Sequence, residues 1–499
     1  MNNFSKVLAI LAIGIFLLLG CKQEKELKLD LLDTVYLSNS RLKVEVLASG
    51  LEVPWDLEVD DLGFLWISEQ KGEISRMNLQ TGSKRLLLKL TDVWKERTSG
   101  LLGMTVHPDF RKSPYVYLNY TLKKDSLLLS RLIRYTFEED SLVKPIVLLE
   151  IEAGTSHNGS RLEFGPDGKL YWATGDVHNY AYAQNPQVLN AKILRLNEDG
   201  SIPPDNPDPD SYVWALGFRN VQGLVFSSKG LLYTSEHGDA IEDELNLIRK
   251  SGNYGWPEIE GKHDLKKELD FAMQKDTREP IRSWTPVIAP AGLTYYDNET
   301  IPEWKNSLLL TTLKGKSLRV LVLNENGNEV ISEEILFENR YGRLRDVVSG
   351  NQGEIYLSTS NLDWNPQPGF PLEGDDKILK ISITKEASSL AIRPETAKQA
   401  QLQNGKELYL SYCSSCHKAD GTGVPDIFPS IKSSQKIFGD PGSLIKLVLK
   451  GSEQPGAGQQ MPSFAFLDNR QLSEIINYIK TEWTEEKQVI TSDIIEQSR

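Results

Sequence analysis

Residues 156–176 read SHNGSRLEFGPDGKLYWATGD, and the pattern of this stretch decides the fold. Two apolar runs, Leu162 to Phe164 and Leu170 to Ala173, flank the turn Pro166-Asp167-Gly168, which reads as a hairpin between neighbouring strands. His157 sits on the loop entering the first strand, and Asp176 ends the second. Loops carry function while strands hold them in place. An imidazole near neutral pH can accept a proton, and a carboxylate on its other ring nitrogen fixes the tautomer and stabilises the charged form. His157 and Asp176 are therefore a candidate base and its orienting acid. A histidine ahead of a strand also serves as a plain structural hydrogen-bonder, so the pair takes its meaning from the rest of the chain.

The same hairpin pattern returns along the sequence. It stands at Asp61–Glu69 (DLGFLWISE), Lys229–Glu236 (KGLLYTSE) and Gln352–Ser358 (QGEIYLS), with degenerate copies around Tyr115–Leu118 and Ser307–Leu310. Counting from Trp66 through Tyr117, Tyr171, Tyr233 and Leu310 to Tyr356 gives steps of about 50 to 75 residues, which fit a six-bladed β-propeller over residues 41–384. A β-sandwich would not repeat one hairpin six times. In a propeller the loops at one end of the central channel come from every blade, so residues distant in sequence can share a site.

At the N-terminus Lys6 precedes an apolar run from Val7 to Leu19 that stops at Leu18-Leu19-Gly20-Cys21. The run is about 13 residues, short of the roughly 20 needed to cross a bilayer as a helix, and reads as a cleaved export signal over residues 1–20. The small residue before Cys21 and the charged stretch after it resemble the lipobox of bacterial lipoproteins. That resemblance makes Cys21 a lipidated first residue, followed by a polar leader over 21–40, and holds the protein by a lipid on the periplasmic side of a bacterial membrane. The other two cysteines, Cys413 and Cys416, lie together, which leaves none for a structural disulfide; core burial must hold the fold. A net charge of −13 argues against nucleic acid as a partner, so any anionic ligand must be met by local cation clusters.

Four cations stand at propeller loop positions: Arg219 beside Asn220, Lys314 after the Leu308–Leu310 strand, and Arg343 and Arg345 ahead of Asp346. Each singly reads as a solvated surface charge; together with His157 they suggest a site for a small polyanion. The run Ser235–Glu244 (SEHGDAIEDE) offers the oxygen ligands that calcium prefers but matches no EF-hand loop, and taken alone reads as a solvated acidic loop.

Several of these stretches together resemble one family. Ser156-His157-Asn158 with Arg161, Gly175-Asp176, Gly217-Phe218-Arg219-Asn220 followed by Gln222-Gly223-Leu224, Ser235-Glu236-His237-Gly238, Asp243-Glu244-Leu245-Asn246 and Gly252–Pro257 are similar to the soluble, pyrroloquinoline quinone (PQQ) dependent aldose and glucose dehydrogenases. So are Gly100–Gly103, His107–Phe110 and Arg343–Asp346, in the same order from about Leu47 to Lys380. The resemblance implies that Arg219, Lys314, Arg343 and Arg345 bind the carboxylates and quinone oxygens of PQQ, with Asn220 as a further donor. It implies a calcium ion on the backbone carbonyls of Gly238 and Asp239, acting as a Lewis acid. His157 would take the proton of the anomeric hydroxyl as hydride leaves, with Asp176 orienting it, and Trp284 would pack beside the sugar ring. Three positions depart from the family pattern. Thr98 replaces a glutamine that bonds quinone or substrate, and Asp239 replaces a proline in the calcium loop. Ser156 replaces an aspartate of the glucose-specialised enzymes, so glucose specificity is not expected.

After a polar linker over 385–403 the periodicity turns helical through residues 404–485, leaving a tail at 486–499. Gly405, Tyr409, Cys413, Cys416 and His417 fall at the spacing of a class I cytochrome c, in which two thiols capture the haem vinyl groups and the adjacent imidazole binds iron. A zinc site lacks further ligands, because His417 is the only histidine after His263 and no other cysteine follows. Met461 is the only methionine of this region and the candidate distal ligand, and Pro429 matches the residue whose carbonyl receives the His417 ring proton. Leu472, Ile475, Ile476 and Ile479 share one face of a closing helix that should pack on the first helix. The whole reads as an all-β propeller followed by a small all-α cytochrome c domain: an exported enzyme that oxidises aldose sugars to lactones with PQQ and calcium, passes electrons to its covalently bound haem c, and hands them to a downstream carrier protein. The alternative from the sequence is a non-catalytic carbohydrate-binding or docking propeller with an electron-transfer tail.

Overall fold

The first strands of six antiparallel sheets touch one another in cyclic order, which closes the sheets into a ring. The computed structural model describes residues 27–239, 241–388, 391–396, 404–424, 428–452, 461–484 and 489–499. The expected export signal and Cys21 lie outside the described residues, as do parts of the expected leader, linker and tail.

Blade 1 comprises β3 (Pro54–Val59), β4 (Phe64–Glu69), β5 (Glu73–Asn78) and β6 (Lys84–Lys89). Blade 2 is β7 (Leu101–Val106), β8 (Tyr115–Lys124), β9 (Leu127–Glu138) and β10 (Ser141–Glu152); blade 3 is β11 (Gly159–Phe164), β12 (Leu170–Thr174), β13 (Lys192–Leu196) and β14 (Val213–Leu216). Blade 4 is β15 (Val221–Phe226), β16 (Leu232–Glu236), β17 (Asp243–Ile248) and β18 (Arg282–Trp284), with helix α1 (Lys266–Lys275) before its last strand. Blade 5 is β19 (Pro290–Tyr296), β20 (Ser307–Thr312), β21 (Leu318–Leu323) and β22 (Val330–Leu336). Blade 6 is β23 (Leu344–Ser349), β24 (Ile355–Thr359) and β25 (Ile378–Ile383), completed on its outer side by β2 (Arg41–Ala48) and β1 (Asp30–Tyr36).

The six copies of the sequence motif are the second strands of the six blades. Trp66, Tyr117, Tyr233, Leu310 and Tyr356 are fully buried and Tyr171 nearly so, because each lies between two sheets and is covered on both sides. Blade 6 draws strands from both ends of the propeller, so the ring closes through backbone hydrogen bonds between segments more than 300 residues apart, such as Val44 with Ile381.

Two boundaries differ from the sequence reading. β1 falls in the stretch expected to be a polar leader: only Asp33, Thr34 and Val35 of it are buried, so its pattern is weak, and backbone pairing to β2 makes it a strand. Within the expected linker, Ile392 exchanges backbone hydrogen bonds with Thr34 and Tyr36, and β26 (Glu395–Thr396) pairs with β22. Edge pairing of this kind needs main-chain donors and acceptors rather than an apolar pattern, which is why composition did not disclose it.

On the inner strands a buried charge network ties three blades. The Arg161 guanidinium of β11 bonds Asp56 of β3 and lies 3.1 Å from Asp346 of β23, while its Nε donates to the Gln222 carbonyl of β15 at 3.0 Å. Asp56 and Asp346 also accept backbone N–H groups from Met104 and Leu57 at 2.8 and 2.7 Å.

The C-terminal helices are α2 (Gly405–Tyr412), α3 (Ser414–His417), α4 (Gln435–Phe438), α5 (Pro441–Lys450), α6 (Asn469–Trp483) and α7 (Ser492–Glu496). Asp468 caps α6 with a reciprocal bond from Gln471, and Asp440 caps α5 ahead of a proline at its first turn. Leu472, Ile475, Ile476 and Ile479 are buried against Leu408 and Tyr409 of α2, as the spacing predicts. A Cβ on Gly405 would stand 2.1 Å from the Glu474 carbonyl oxygen, so glycine is what lets the two helices meet. The expected tail is not a free end: Ile490 and Ile495 are buried in this core and α7 packs on α6. No helix among the described residues is long and apolar enough to cross a membrane.

Candidate active site

In an antiparallel blade the start of the first strand and the end of the second lie at the same end of the ring. That end carries Arg97 and Thr98 ahead of β7, Ser156 to Asn158 ahead of β11, Arg219 and Asn220 ahead of β15, and Arg343 and Arg345 at the start of β23. It also carries Gln70 after β4, His237 to Asp239 after β16, Lys314 after β20, and Asp363, Trp364, Asn365 and Gln367 after β24. All of these line one cavity of about 240 Å³. The structure thus brings together His157, the four predicted cations, Asn220, Thr98, Gly238 and Asp239.

His157 Nδ1 bonds Asp176 Oδ1 at 2.8 Å. Asp176 is completely buried; its Oδ1 also accepts the His178 backbone N–H at 2.9 Å, and its Oδ2 accepts Trp256 Nε1 at 2.9 Å. With Nδ1 so engaged, the remaining ring nitrogen, Nε2, is the one available to the cavity that His157 lines. Burial raises the Asp176 carboxyl, but the His157 ring, Arg219 and the His178 amide outweigh it and hold the group below its ordinary value. Burial and the Arg219 guanidinium press His157 below 6.5 against the pull of Asp176, so the ring is neutral and basic at pH 7. Close backbone packing sets the pair: a Cβ on Gly175 would lie 2.0 Å from the His157 carbonyl oxygen.

Five cationic side chains line the cavity, Arg97, Arg219, Lys314, Arg343 and Arg345, beside three carboxylates, Asp239, Asp243 and Asp363. Arg219 pairs with Asp239 at 2.7 Å and Arg343 with Asp363 at 2.7 Å. The excess is cationic, and Nε of Arg97, Arg219 and Arg345 is buried without a hydrogen-bond partner. Buried donors left open in this way fit an anionic ligand with several acceptors, and the tricarboxylate PQQ has that chemistry. For calcium, no group of three or more His, Cys, Asp or Glu side chains among the described residues could hold a metal. The Gly238 and Asp239 carbonyl oxygens, by contrast, accept no hydrogen bond from the described residues, so main-chain ligation is the form of calcium binding this loop fits.

Two expectations are corrected. Trp284 lies outside the cavity: it sits on β18, the outermost strand of blade 4, 6% exposed, with Nε1 bonded to both Glu333 oxygens at 3.0 and 3.2 Å. Glu333 of β22, at the outer side of blade 5, holds the indole away from the residues that line the mouth. Nor is the Ser235–Glu244 run solvated, since Glu236, Asp243 and Glu244 are all buried. Asp243 accepts the Gly238, Ile288 and Ala289 amides, and Asn246 bridges Glu236 and Glu244. Burial pushes Asp243 up to about 6 and Glu244 up to about 7. Sequence reasoning assigned no role to Trp256, His178, Trp55, Gln70 or the Asp363–Gln367 loop. Trp256 was within reach, in the Gly252–Pro257 stretch; the others carry no local pattern. Thr98 lines the cavity and its hydroxyl reaches the Thr155 carbonyl at 3.5 Å.

One wall of the cavity comes from the C-terminal domain: Ser414, Ser415 and Cys416 of α3, and Phe428 of the loop that follows. Lys314 Nζ donates to the Ser411 carbonyl, an open acceptor in the last turn of α2, and Asn365 Nδ2 reaches the Ser415 carbonyl at 3.5 Å. Cys413 and Cys416 are not joined in a disulfide, and burial raises both thiols, to about 12 and about 11. His417 Nδ1 donates to the Pro429 carbonyl at 2.9 Å, which leaves Nε2 for iron, and Cys413 and Met461 pack on the same apolar core. These donors fit a c-type haem.

Residues 51–365 match the family described as Glucose / Sorbosone dehydrogenase, and residues 400–479 match Cytochrome C oxidase, cbb3-type, subunit III. The chain belongs to the glucose/sorbosone dehydrogenase family and carries a C-terminal cytochrome c domain. It is an oxidoreductase with the fold of the PQQ-type aldose and glucose dehydrogenases. It is 30% identical over 360 residues to the aldose sugar dehydrogenase YliI of Escherichia coli (strain K12), covering 68% of this chain and 93% of that protein. To quinoprotein glucose dehydrogenase B of Acinetobacter calcoaceticus it is 37% identical over 411 residues, covering 65% and 86%. Among solved structures, the PQQ-bound aldose sugar dehydrogenase of Streptomyces coelicolor superposes with a TM-score of 0.60 at 33% identity, covering 69% of this chain and 99% of that one.

Proposed function

We propose that this protein oxidises the anomeric carbon of aldose sugars to lactones with PQQ and calcium, and passes the electrons to a haem c held by its own C-terminal domain. The observation that carries the reading is the shared cavity: His157 and the cation cluster line it together with Cys416 of the Cys413–His417 segment. When bound, the quinone supplies the hydride acceptor and calcium the Lewis acid. Arg219, Lys314, Arg343 and Arg345, with Asn220, hold its carboxylates and oxygens, and Thr98 adds a weaker contact than a longer amide would. The carbonyls of Gly238 and Asp239 hold the calcium.

His157 Nε2 takes the proton of the anomeric hydroxyl, and Asp176, fixed on Nδ1, stabilises the imidazolium that results. Cations already in place meet the negative charge that develops, so little reorganisation is required. Sugar oxidation releases two electrons and a haem accepts one at a time; Cys413 and Cys416 would attach that group and His417 and Met461 would ligate its iron, where it would supply a one-electron acceptor. A downstream carrier protein then takes each electron. The export signal over 1–20 and lipidation of Cys21 put this chemistry on the periplasmic side of a bacterial membrane. With Ser156 in the cavity lining in place of an aspartate, the substrate class is aldoses in general.

The test is to add PQQ and calcium to the haem-loaded protein and then an aldose, following the haem absorbance. Reduction of the haem by sugar supports the reading. A haem that stays oxidised with sugar yet responds to dithionite overturns it.

A further inference from the structure

A second imidazole lies against His157. The ring centroids of His157 and His178 are 3.7 Å apart at an interplanar angle of 31°. We propose that His178 is a positioning residue for His157: its ring braces one face of the base, and its bond to Ser156 holds that brace in place. The proposal rests on His157 being the base.

Three observations carry it. His178 is anchored twice, by Nε2 at 2.5 Å from Ser156 Oγ and by its backbone N–H on Asp176 Oδ1, the oxygen that also takes His157 Nδ1. Ser156 lines the cavity whereas His178 does not, so the brace stands behind the base as seen from the substrate. The backbone is also strained to achieve this: His157, Val177 and His178 all have positive φ, at 57°, 49° and 67°. A β-branched residue there is a clear outlier, and such conformations persist only where surrounding bonds impose them. The Val177 amide on the His157 carbonyl, at 3.1 Å, locks the two histidines to each other across that turn.

The charges around the pair decide where a proton goes. Asp176, Asp239, Arg219 and His237 act on His157, and Asp176, Arg219, Arg97 and His157 act on His178. Two stacked rings cannot both be charged. Asp176 bonds the ring of His157 but only the amide of His178, so the proton resides on His157. Burial and His157 itself hold His178 down at about 3, and it stays neutral while its neighbour cycles.

The experiment uses the haem-loaded full-length protein without PQQ, its histidines labelled with ¹⁵N, in wild-type form and as His178→Ala, His178→Phe and Ser156→Ala. Wild-type His157 should show a single tautomer protonated on Nδ1. In His178→Ala water reaches the ring, so its titration midpoint should rise by about half to one pH unit and the single tautomer should be lost. His178→Phe keeps a ring against the base but has no bond to Ser156, so it should move both signals only as far as Ser156→Ala does, the same way as alanine at 178 and by less. With PQQ and sugar present, the acidic limb of kcat/KM in His178→Ala should rise by the same amount, with kcat down about tenfold and KM little changed. An unchanged His157 signal in His178→Ala, or a phenylalanine variant as impaired as alanine, overturns the brace. If His178→Ala does not fold, an unchanged His157 signal in Ser156→Ala overturns it instead. His157→Ala separates the two claims: wild-type turnover in that variant removes the base itself, whereas loss of turnover there with a normal His178→Ala removes only the brace.

Discussion

Asp176 uses both oxygens, on His157, the His178 amide and Trp256, and none faces water. A carboxylate held in this way sets the direction and tautomer of the base without exchanging protons itself. Replacing it by asparagine should lower kcat by about 100- to 10,000-fold while KM changes little, as steady-state kinetics with a sugar panel would reveal. The pH dependence follows from the neutral form being the active one. His157 is depressed below 6.5, so kcat/KM should hold down to pH values below 6.5 and fall only as acid protonates the ring. An acidic limb centred above 6.5 would contradict that electrostatic account. The candidate pair was legible in the sequence because both residues flank one hairpin; the partners Trp256 and His178 were not, since nothing local marks a side chain as facing Asp176.

Strands and loops impose their own limits on the site. Trp284 belongs to an outer strand, where its indole helps Arg282 and Arg319 satisfy the buried Glu333. Trp284→Phe should therefore leave the KM for sugar unaltered and cost about 1–3 kcal/mol of stability, read from denaturant unfolding; a raised KM would return this residue to the cavity. Gly175 belongs to the element that carries Asp176, and a methyl there meets the His157 carbonyl. Gly175→Ala should displace the His157 loop and lower turnover far more than the melting temperature. Strand identity was readable from the turn-plus-aromatic motif, yet which strand lies innermost in a blade was not, because inner and outer strands alternate alike. The expectation for Trp284 came from the family resemblance, which does not fix how far out in its blade the residue stands.

The molecule as a whole is a ring closed on itself with a second domain against its mouth. Arg161 joins blades through Asp56 and Asp346, and Arg161→Leu would leave two buried carboxylates without their cation, at a cost of about 3–5 kcal/mol in unfolding measurements. The contacts of Lys314 with Ser411 and of Asn365 with Ser415 bring the Cys413–His417 segment over the cavity. A Cys413→Ser, Cys416→Ser double variant should lose haem staining and all sugar-driven haem signal while still reducing a small soluble dye with an aldose. Loss of dye reduction as well would mean that the two halves do not act as separable steps.

The repeat of six strands, five of them with an aromatic at the shared position, the acid at a hairpin end, and the cysteine pair with its histidine were all decided by residues close together in the chain. Local hydrogen bonding and side-chain periodicity act over a few residues, so they leave a readable pattern. The convergence of Arg219, Lys314, Arg343 and Arg345 on one cavity, the burial of Glu236 and Glu244, the outward place of Trp284 and the haem-attachment segment at the cavity wall arise from how blades and domains pack. Those contacts join segments from tens to more than a hundred residues apart, and which side chains packing brings together at that range is not written in the order of neighbouring residues.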